Sequence, residues 1–347
     1  MTKVKGYVLD GPFAVAGGGG CEWTTATKDG DRVFIKRFLQ PKKPTKAFKG
    51  SPALKRKKQQ RCKAFEDLHR GVMKALESKV KSVGNLVAPL DFFECDGAYY
   101  KVSPLVAPEA FAPEEAAKLP LRERLLLVTS IAAALRALHE IRVVHNDLKP
   151  DNILVSMTAG GARTAKLIDF DSSFFSGSPP PVEDFVGDLY FVSPEVVRYY
   201  NDSAKPDELT TSVDVFSFAL LACQFLTGKV PTYDVHRWRY AGVALANGAN
   251  LSLPPAGDVA VPTVALLQRS LDLDPGRRPT MVEWHEHLRD QLTGKAPSPP
   301  VPAPAGPGST SKLTINRKGR ERDAGAAPAV NPEAPAKKPG LTINRKR

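Results

Sequence analysis

A chain of 347 residues, 42 % hydrophobic and 25 % charged, is long enough for a large core and is neither a small cross-linked module nor a wholly unstructured one. Its formal net charge of +12 is local: residues 36–63 carry twelve Lys or Arg and no acid, residues 295–347 carry eleven against three acids, and the remainder is left at −8. That distribution weakens any case for a surface that binds polyanions over its whole extent. Four cysteines, Cys21, Cys62, Cys95 and Cys223, show no CxxC pair or His cluster, so neither a disulfide framework nor a zinc site is suggested and a reducing, cytoplasmic setting fits best. The N-terminus lacks the apolar run of a signal peptide, and the most apolar window, residues 125–138, is interrupted by Thr129, Ser130 and Arg136, so no membrane association is expected.

Along the chain, strand-like runs come first, at residues 8–15, 22–27, 32–38, 87–94 and 98–102. Lys28-Asp29-Gly30-Asp31 predicts a tight hairpin, because Asp-Gly accepts the positive φ such turns need. One helix, about residues 53–79, interrupts the strands. After residue 107 the period becomes helical: residues 121–140 place Leu127, Ile131, Leu135 and Leu138 on one stripe, and residues 212–227 and 261–271 read as apolar helices. The last 53 residues hold ten prolines and no aromatic, a composition that cannot offset the ordering entropy of a core. The expected organisation is a β-rich lobe at 1–106 with a basic insert at about 40–63, a helical lobe at 107–292, and a disordered basic Pro/Ala-rich tail at 293–347.

Between the lobes lies His145-Asn146-Asp147-Leu148-Lys149-Pro150-Asp151-Asn152, followed by Ile168-Asp169-Phe170-Asp171. Any one Asp or Asn here is ordinarily a turn or cap residue. The combined spacing is more specific, for it reproduces the D-x-K-P-x-N catalytic loop and the D-F-G metal motif. From these residues the sequence resembles the eukaryotic-like Ser/Thr protein kinases over about residues 7–292.

The resemblance implies an α+β, bilobal protein-kinase-like fold with a β-rich N-lobe and an α-helical C-lobe, followed by the disordered C-terminal tail. It also implies transfer of the γ-phosphate of ATP to Ser or Thr hydroxyls of a protein substrate, with Mg²⁺ or Mn²⁺. By match to the motifs, Asp147 orients and deprotonates the hydroxyl, Lys149 steadies the transferred group, and Asn152 and Asp169 hold the metals. Val33-Phe34-Ile35-Lys36 looks like the third-strand lysine motif, which gives Lys36 the α and β phosphates. Gly17, Gly18, Gly19 and Gly20 occupy the place of the phosphate-covering loop, although the run lacks its aromatic tip residue and G-x-G-x-x-G spacing. The acid that pairs with Lys36 should come from the intervening helix, where Glu66 is favoured over Glu77 because it opens the apolar pattern of residues 64–76. Gly187 to Glu195 resembles the end of an activation segment, with Arg278 the expected buried partner of Glu195 and Asp214 the brace of the catalytic-loop backbone.

Three departures stand out. Asn146 replaces the arginine that pairs with an activation-loop phosphate, which predicts activity independent of that phosphate. Asp171 replaces a glycine and brings charge near the metal site, where it could serve as an additional ligand. Asp188 replaces a threonine and is placed to pair with Lys149. These changes keep a second class open, a pseudokinase scaffold that binds nucleotide and partners without efficient transfer. Small-molecule phosphotransferases share the catalytic loop but lack the Ser-Pro-Glu end-piece and its late arginine.

Two segments suggest partners. The basic insert around Arg56–Lys58 could dock an acidic partner, against the plain reading of a solvated face. In the tail, Leu313-Thr314-Ile315-Asn316-Arg317-Lys318 recurs as Leu341-Thr342-Ile343-Asn344-Arg345-Lys346, 28 residues on. Thr314 and Thr342 are candidate autophosphorylation sites for a phosphothreonine reader. With no aromatic for base stacking, the tail does not make nucleic acid an expected main partner.

Overall fold

The computed structural model describes residues 2–15, 20–45, 48–80, 84–106, 111, 113–158 and 160–295. Strands β1 (Lys3–Val4), β2 (Tyr7–Leu9), β3 (Ala14–Val15), β4 (Cys21–Lys28) and β5 (Asp31–Phe38) precede helix α1 (Pro52–Val80), and β6 (Asp91–Cys95) and β7 (Ala98–Pro104) follow it. They form one antiparallel sheet in the order β1-β2-β4-β5-β7-β6, with β3 paired to β4. The β4–β5 turn is the expected hairpin, with Asp29 and Gly30 at φ of 54° and 90°.

Two strands are shorter than their sequence predicts. Residues 8–15 split into β2 and β3 around Gly11-Pro12, since proline offers no ladder donor. The run at 87–94 pairs in the sheet only from Asp91, after Pro89, and Val87 N–H instead donates to Leu167 O at 3.0 Å.

Helix α1 presents Cys62, Phe65, His69, Val72 and Leu76, spaced by three and four, as its inward stripe. The rings of Phe38, Phe65 and Phe92 pack around the His69 imidazole, Tyr99 packs on Phe65 and Phe92, and together they join the helix to the sheet. Its first turns lack such a stripe, and Arg56, Lys57 and Lys58 are exposed there.

From Pro113 the chain is mainly helical: α2 (Pro113–Ala116), α3 (Leu121–Glu140), α4 (Pro194–Tyr200), α5 (Ser212–Thr227), α6 (Ala241–Ala246), α7 (Val261–Ser270) and α8 (Met281–Thr293). Short strands β8 (Val143–Val144), β9 (Ile153–Met157), β10 (Arg163–Leu167) and β11 (Phe174–Phe175) frame the loops between α3 and α4. The α3 stripe is fully buried, and α3 packs on α5, α8 and β10. Helix α5 is apolar around nearly its whole circumference and forms the centre of this lobe, ending at Gly228 in the left-handed region. No helix among the described residues is long and apolar enough to cross a membrane.

Candidate active site

The floor of the site is the segment from His145 to Asn152, and a buried carboxylate on α5 holds it. Asp214 accepts the backbone N–H of His145 at 2.8 Å and of Asn146 at 2.9 Å, with His139 Nε2 at 3.0 Å from its Oδ2. Asn146 sits at φ 63°, a left-handed conformation that asparagine tolerates. His145 Nε2 lies 3.0 Å from Ile168 O, which ties the loop to the chain entering Asp169.

This frame gathers three of the sequence-derived candidates. Lys149 Nζ donates to both carboxylate oxygens of Asp147, at 2.9 and 3.1 Å, and Asn152 Nδ2 donates to Asp147 Oδ2 at 2.9 Å. The remaining claim on the carboxylate is the Asp188 N–H, 2.9 Å from Asp147 Oδ1. Burial would lower the Lys149 pKa, but the Asp147 charge raises it above the ordinary lysine value. The Asp188 side chain turns back to the Tyr190 N–H at 2.7 Å and stands 3.9 Å from Lys149.

Glu195, at the start of α4, and Arg278 form a bidentate pair at 2.7 and 2.9 Å with both side chains fully buried. The arginine also donates to Ser212 O and Asp272 O, so its charge is matched and its N–H groups are used. The activation segment is anchored by neutral and ionic contacts. Asn146 Nδ2 donates to Val186 O at 2.9 Å, Gly187 lets the chain pass where a Cβ would stand 3.0 Å from Asn146 O, and Arg61 of α1 donates to Asp184 Oδ1 at 2.6 Å. Phe185 is buried against Phe174, Tyr199 and Tyr200.

The roof departs from expectation. Lys36 Nζ donates to Asp169 Oδ2 at 2.6 Å and to Asp171 Oδ2 at 3.0 Å. Glu66 is not its partner: it accepts the Tyr99 hydroxyl at 2.7 Å and Lys43 at 3.2 Å, while Glu77 is exposed. The reason is helical phase. The inward stripe of α1 is set by Cys62, Phe65 and His69, so Glu66 lies to one side of it, where Tyr99 and Lys43 capture it.

Asp171 is likewise no free metal ligand, because Lys101 takes its Oδ1 at 2.6 Å and Lys36 takes its Oδ2. Burial opposes its ionisation, but Lys101 and Lys36 hold the carboxyl well below the usual range. Burial also acts against the Lys36 charge, and the carboxylates of Asp171 and Asp169 more than offset it. Sequence reasoning did not find Lys101. Its one signal was a lysine between Tyr100 and Val102 in an apolar strand, which ordinarily denotes a solvated edge.

Asp169 adopts φ 64°, and its Oδ1 is buried with no hydrogen-bond partner. Such an atom is costly unless something absent from the chain satisfies it. Asn152 turns its N–H₂ toward Asp147, leaving its amide oxygen as a second donor to a cation. Two oxygen donors of this kind, Asp169 Oδ1 and the Asn152 amide oxygen, suit a hard cation such as Mg²⁺, whose remaining positions phosphate oxygens and water would fill. Of the glycine run, Gly17, Gly18 and Gly19 lie outside the described residues, as do Thr314 and Thr342. Gly20 precedes β4 and accepts the Leu39 N–H at 3.1 Å.

Curated relatives match about half of the chain. Calcium-dependent protein kinase 9 of Oryza sativa subsp. japonica is 29 % identical over 172 residues, 50 % of this chain and 28 % of that protein. Protein kinase kin1 of Schizosaccharomyces pombe is 32 % identical over 170 residues, 49 % of this chain and 18 % of its own. Serine/threonine-protein kinase PSK2 of Saccharomyces cerevisiae is 27 % identical over 207 residues, 58 % of this chain and 17 % of its own. The matches thus span less than a third of each of these relatives. A family model described as protein kinase domain matches residues 45–288, beginning after Lys36 and taking in the floor, the activation segment and both partners of the Glu195–Arg278 pair. With the bilobal fold and that buried pair in place, the chain belongs to the protein kinase domain family.

Proposed function

We propose that this chain transfers the γ-phosphoryl group of ATP to Ser or Thr hydroxyls of a protein. The observation that carries the reading is the convergence of Lys149, Asn152 and the Asp188 N–H on the Asp147 carboxylate, together with the unpartnered Oδ1 of Asp169. Phosphoryl transfer asks a protein mainly for placement and charge. Asp147, fixed by three donors, accepts the proton of the incoming hydroxyl. Lys149, already beside it, neutralises charge on the group in transit. Lys36 supplies a buried cation for the α and β phosphates. Mg²⁺, when bound through Asp169 and Asn152, supplies charge neutralisation at the phosphate oxygens.

The proposal includes independence from activation-loop phosphorylation. Support comes from Asn146, whose neutral amide ties Val186 directly, and from the Arg61–Asp184 pair. Ser173 is buried and donates to His145 O at 3.3 Å, so only Ser172, Ser176 and Ser178 belong in the test. Their joint change to Ala should leave most of the rate, and loss of most of it would refute this part.

Transfer itself is tested with γ-labelled ATP over a broad protein panel, comparing wild type with Asp147→Asn. Label on Ser and Thr from wild type alone is expected. A second reading, a nucleotide-binding scaffold, draws on the engagement of Lys36 by two carboxylates, and equal silence of both proteins with Mg²⁺ and Mn²⁺ would favour it. We further propose a cytoplasmic location, an acidic partner for Arg56, Lys57 and Lys58, and phosphothreonine recruitment through Thr314 and Thr342. Mass spectrometry after incubation with Mg·ATP tests the last of these, and an unmodified tail on an active enzyme would remove it.

A further inference from the structure

A strand lysine usually sends its ammonium into solvent, and one that stays buried needs a carboxylate. Lys101 is 4 % exposed, lies on β7 between the buried Tyr100 and Val102, and stands directly opposite Lys36 of β5 in the strand register. Two ammonium groups abreast on one face of a sheet repel each other. The group that neutralises both is Asp171, with Oδ1 on Lys101 at 2.6 Å and Oδ2 on Lys36 at 3.0 Å. Lys101 lies in addition 3.5 Å from Phe170 O. Among the described residues, α1 brings no carboxylate within ion-pair distance of Lys36, since Glu66 is held by Tyr99 and Lys43. What the helix presents toward this cluster is His69, kept neutral by its burial and by the Lys101 charge.

The geometry points to Lys101 as a positioning residue: by fixing Asp171 it holds Lys36 between β7 and the segment 169–171, whatever the position of helix α1. This rests on the reading of Lys36 as a phosphate contact. Without Lys101 a buried carboxylate oxygen of Asp171 loses its partner. The carboxylate is then no longer fixed, and Lys36 loses the anchored anion that holds its ammonium beside Asp169.

The test uses the full chain and Mg·ADP in titration calorimetry, with KM for ATP and kcat alongside. Lys101→Met should raise the Kd for Mg·ADP and the KM for ATP about tenfold, with a smaller effect on kcat. Glu66→Gln, whose side chain the structure removes from the surroundings of Lys36, should leave the Kd within about twofold. An unchanged Kd in Lys101→Met, with only a lower melting temperature, would make Lys101 a purely structural residue and overturn the proposal. So would a loss in Glu66→Gln equal to that in Lys101→Met. If Lys101→Met does not fold, the double variant Lys101→Met with Asp171→Asn removes the stranded charge, and the same loss of affinity is expected; wild-type affinity there refutes the proposal. Lys36→Met separates the two levels, because wild-type affinity in that variant removes the phosphate reading of Lys36 itself.

Discussion

The floor and the roof of the site are held by charge in two different ways. Beneath Asp147, the charges that shape the floor are buried, each paired or saturated within the helical lobe: Asp214 accepts three donors, and Glu195 meets Arg278 with both side chains out of solvent. Above, Lys36, Asp169, Asp171 and Lys101 form a chain of two cations and two anions that joins the sheet to the segment 169–171. The floor is a set of buried, mutually paired charges in which each member depends on its partner. The roof is a shared set of charges, where removing one member redistributes the rest.

Breaking the floor should therefore have the largest effect on stability. Arg278→Leu leaves Glu195 buried and unpaired, and a loss of about 3–5 kcal/mol in urea unfolding is expected. A loss under about 1 kcal/mol would mean that Glu195 does not depend on its partner in this way.

The pH dependence separates the regions next. Burial, with the Lys101 charge, holds the His69 pKa well below its ordinary value, and His285 and His287 are lowered by burial too. Folded His69 stays neutral while the unfolded chain takes up a proton below about pH 6.5. Its contribution is therefore nil above that pH, and each unit of further acidification costs up to about 1.4 kcal/mol until the folded value is reached. Stability measured between pH 7 and pH 5 should fall, and His69→Phe should flatten the slope. A slope unaffected by the substitution would take His69 out of the account.

Smaller effects test the joints between the regions. Asn146→Gly keeps the positive φ available while removing the amide that ties Val186, so about 1 kcal/mol and a measurable fall in transfer rate are expected. Tyr99→Phe removes the hydroxyl that holds Glu66, for about 1 kcal/mol of stability and no change in nucleotide affinity. A weakened affinity would return Glu66 to the site. Arg61→Ala breaks a partly exposed pair and should cost less than about 1 kcal/mol in the same unfolding assay.

The order of strands and helices could be read from hydrophobic periodicity, as the α3 stripe of Leu127, Ile131, Leu135 and Leu138 illustrates. So could the Glu195–Arg278 pair, although 83 residues separate its members, because each sits in a recognisable local motif. Asp147, Lys149 and Asn152 lie within six consecutive residues, where one loop conformation suffices to gather them. Glu66 misled for the opposite reason. Its position in a helix was legible, but the rotation of that helix was not, and a fraction of a turn separates facing Lys36 from facing Tyr99.

By itself, the sequence determined the two-lobed fold, the gathering of Asp147, Lys149 and Asn152 on one loop, and the family, since these depend on spacing along the chain and on apolar period. The tertiary structure alone decided which carboxylate meets Lys36. That choice depends on the β5–β7 register, which sets Lys36 beside Lys101, and on the path of the segment that brings Asp171 between them. Two ammonium groups forced together out of water need a shared anion, and nothing in the local sequence of either strand says where the fold will bring it.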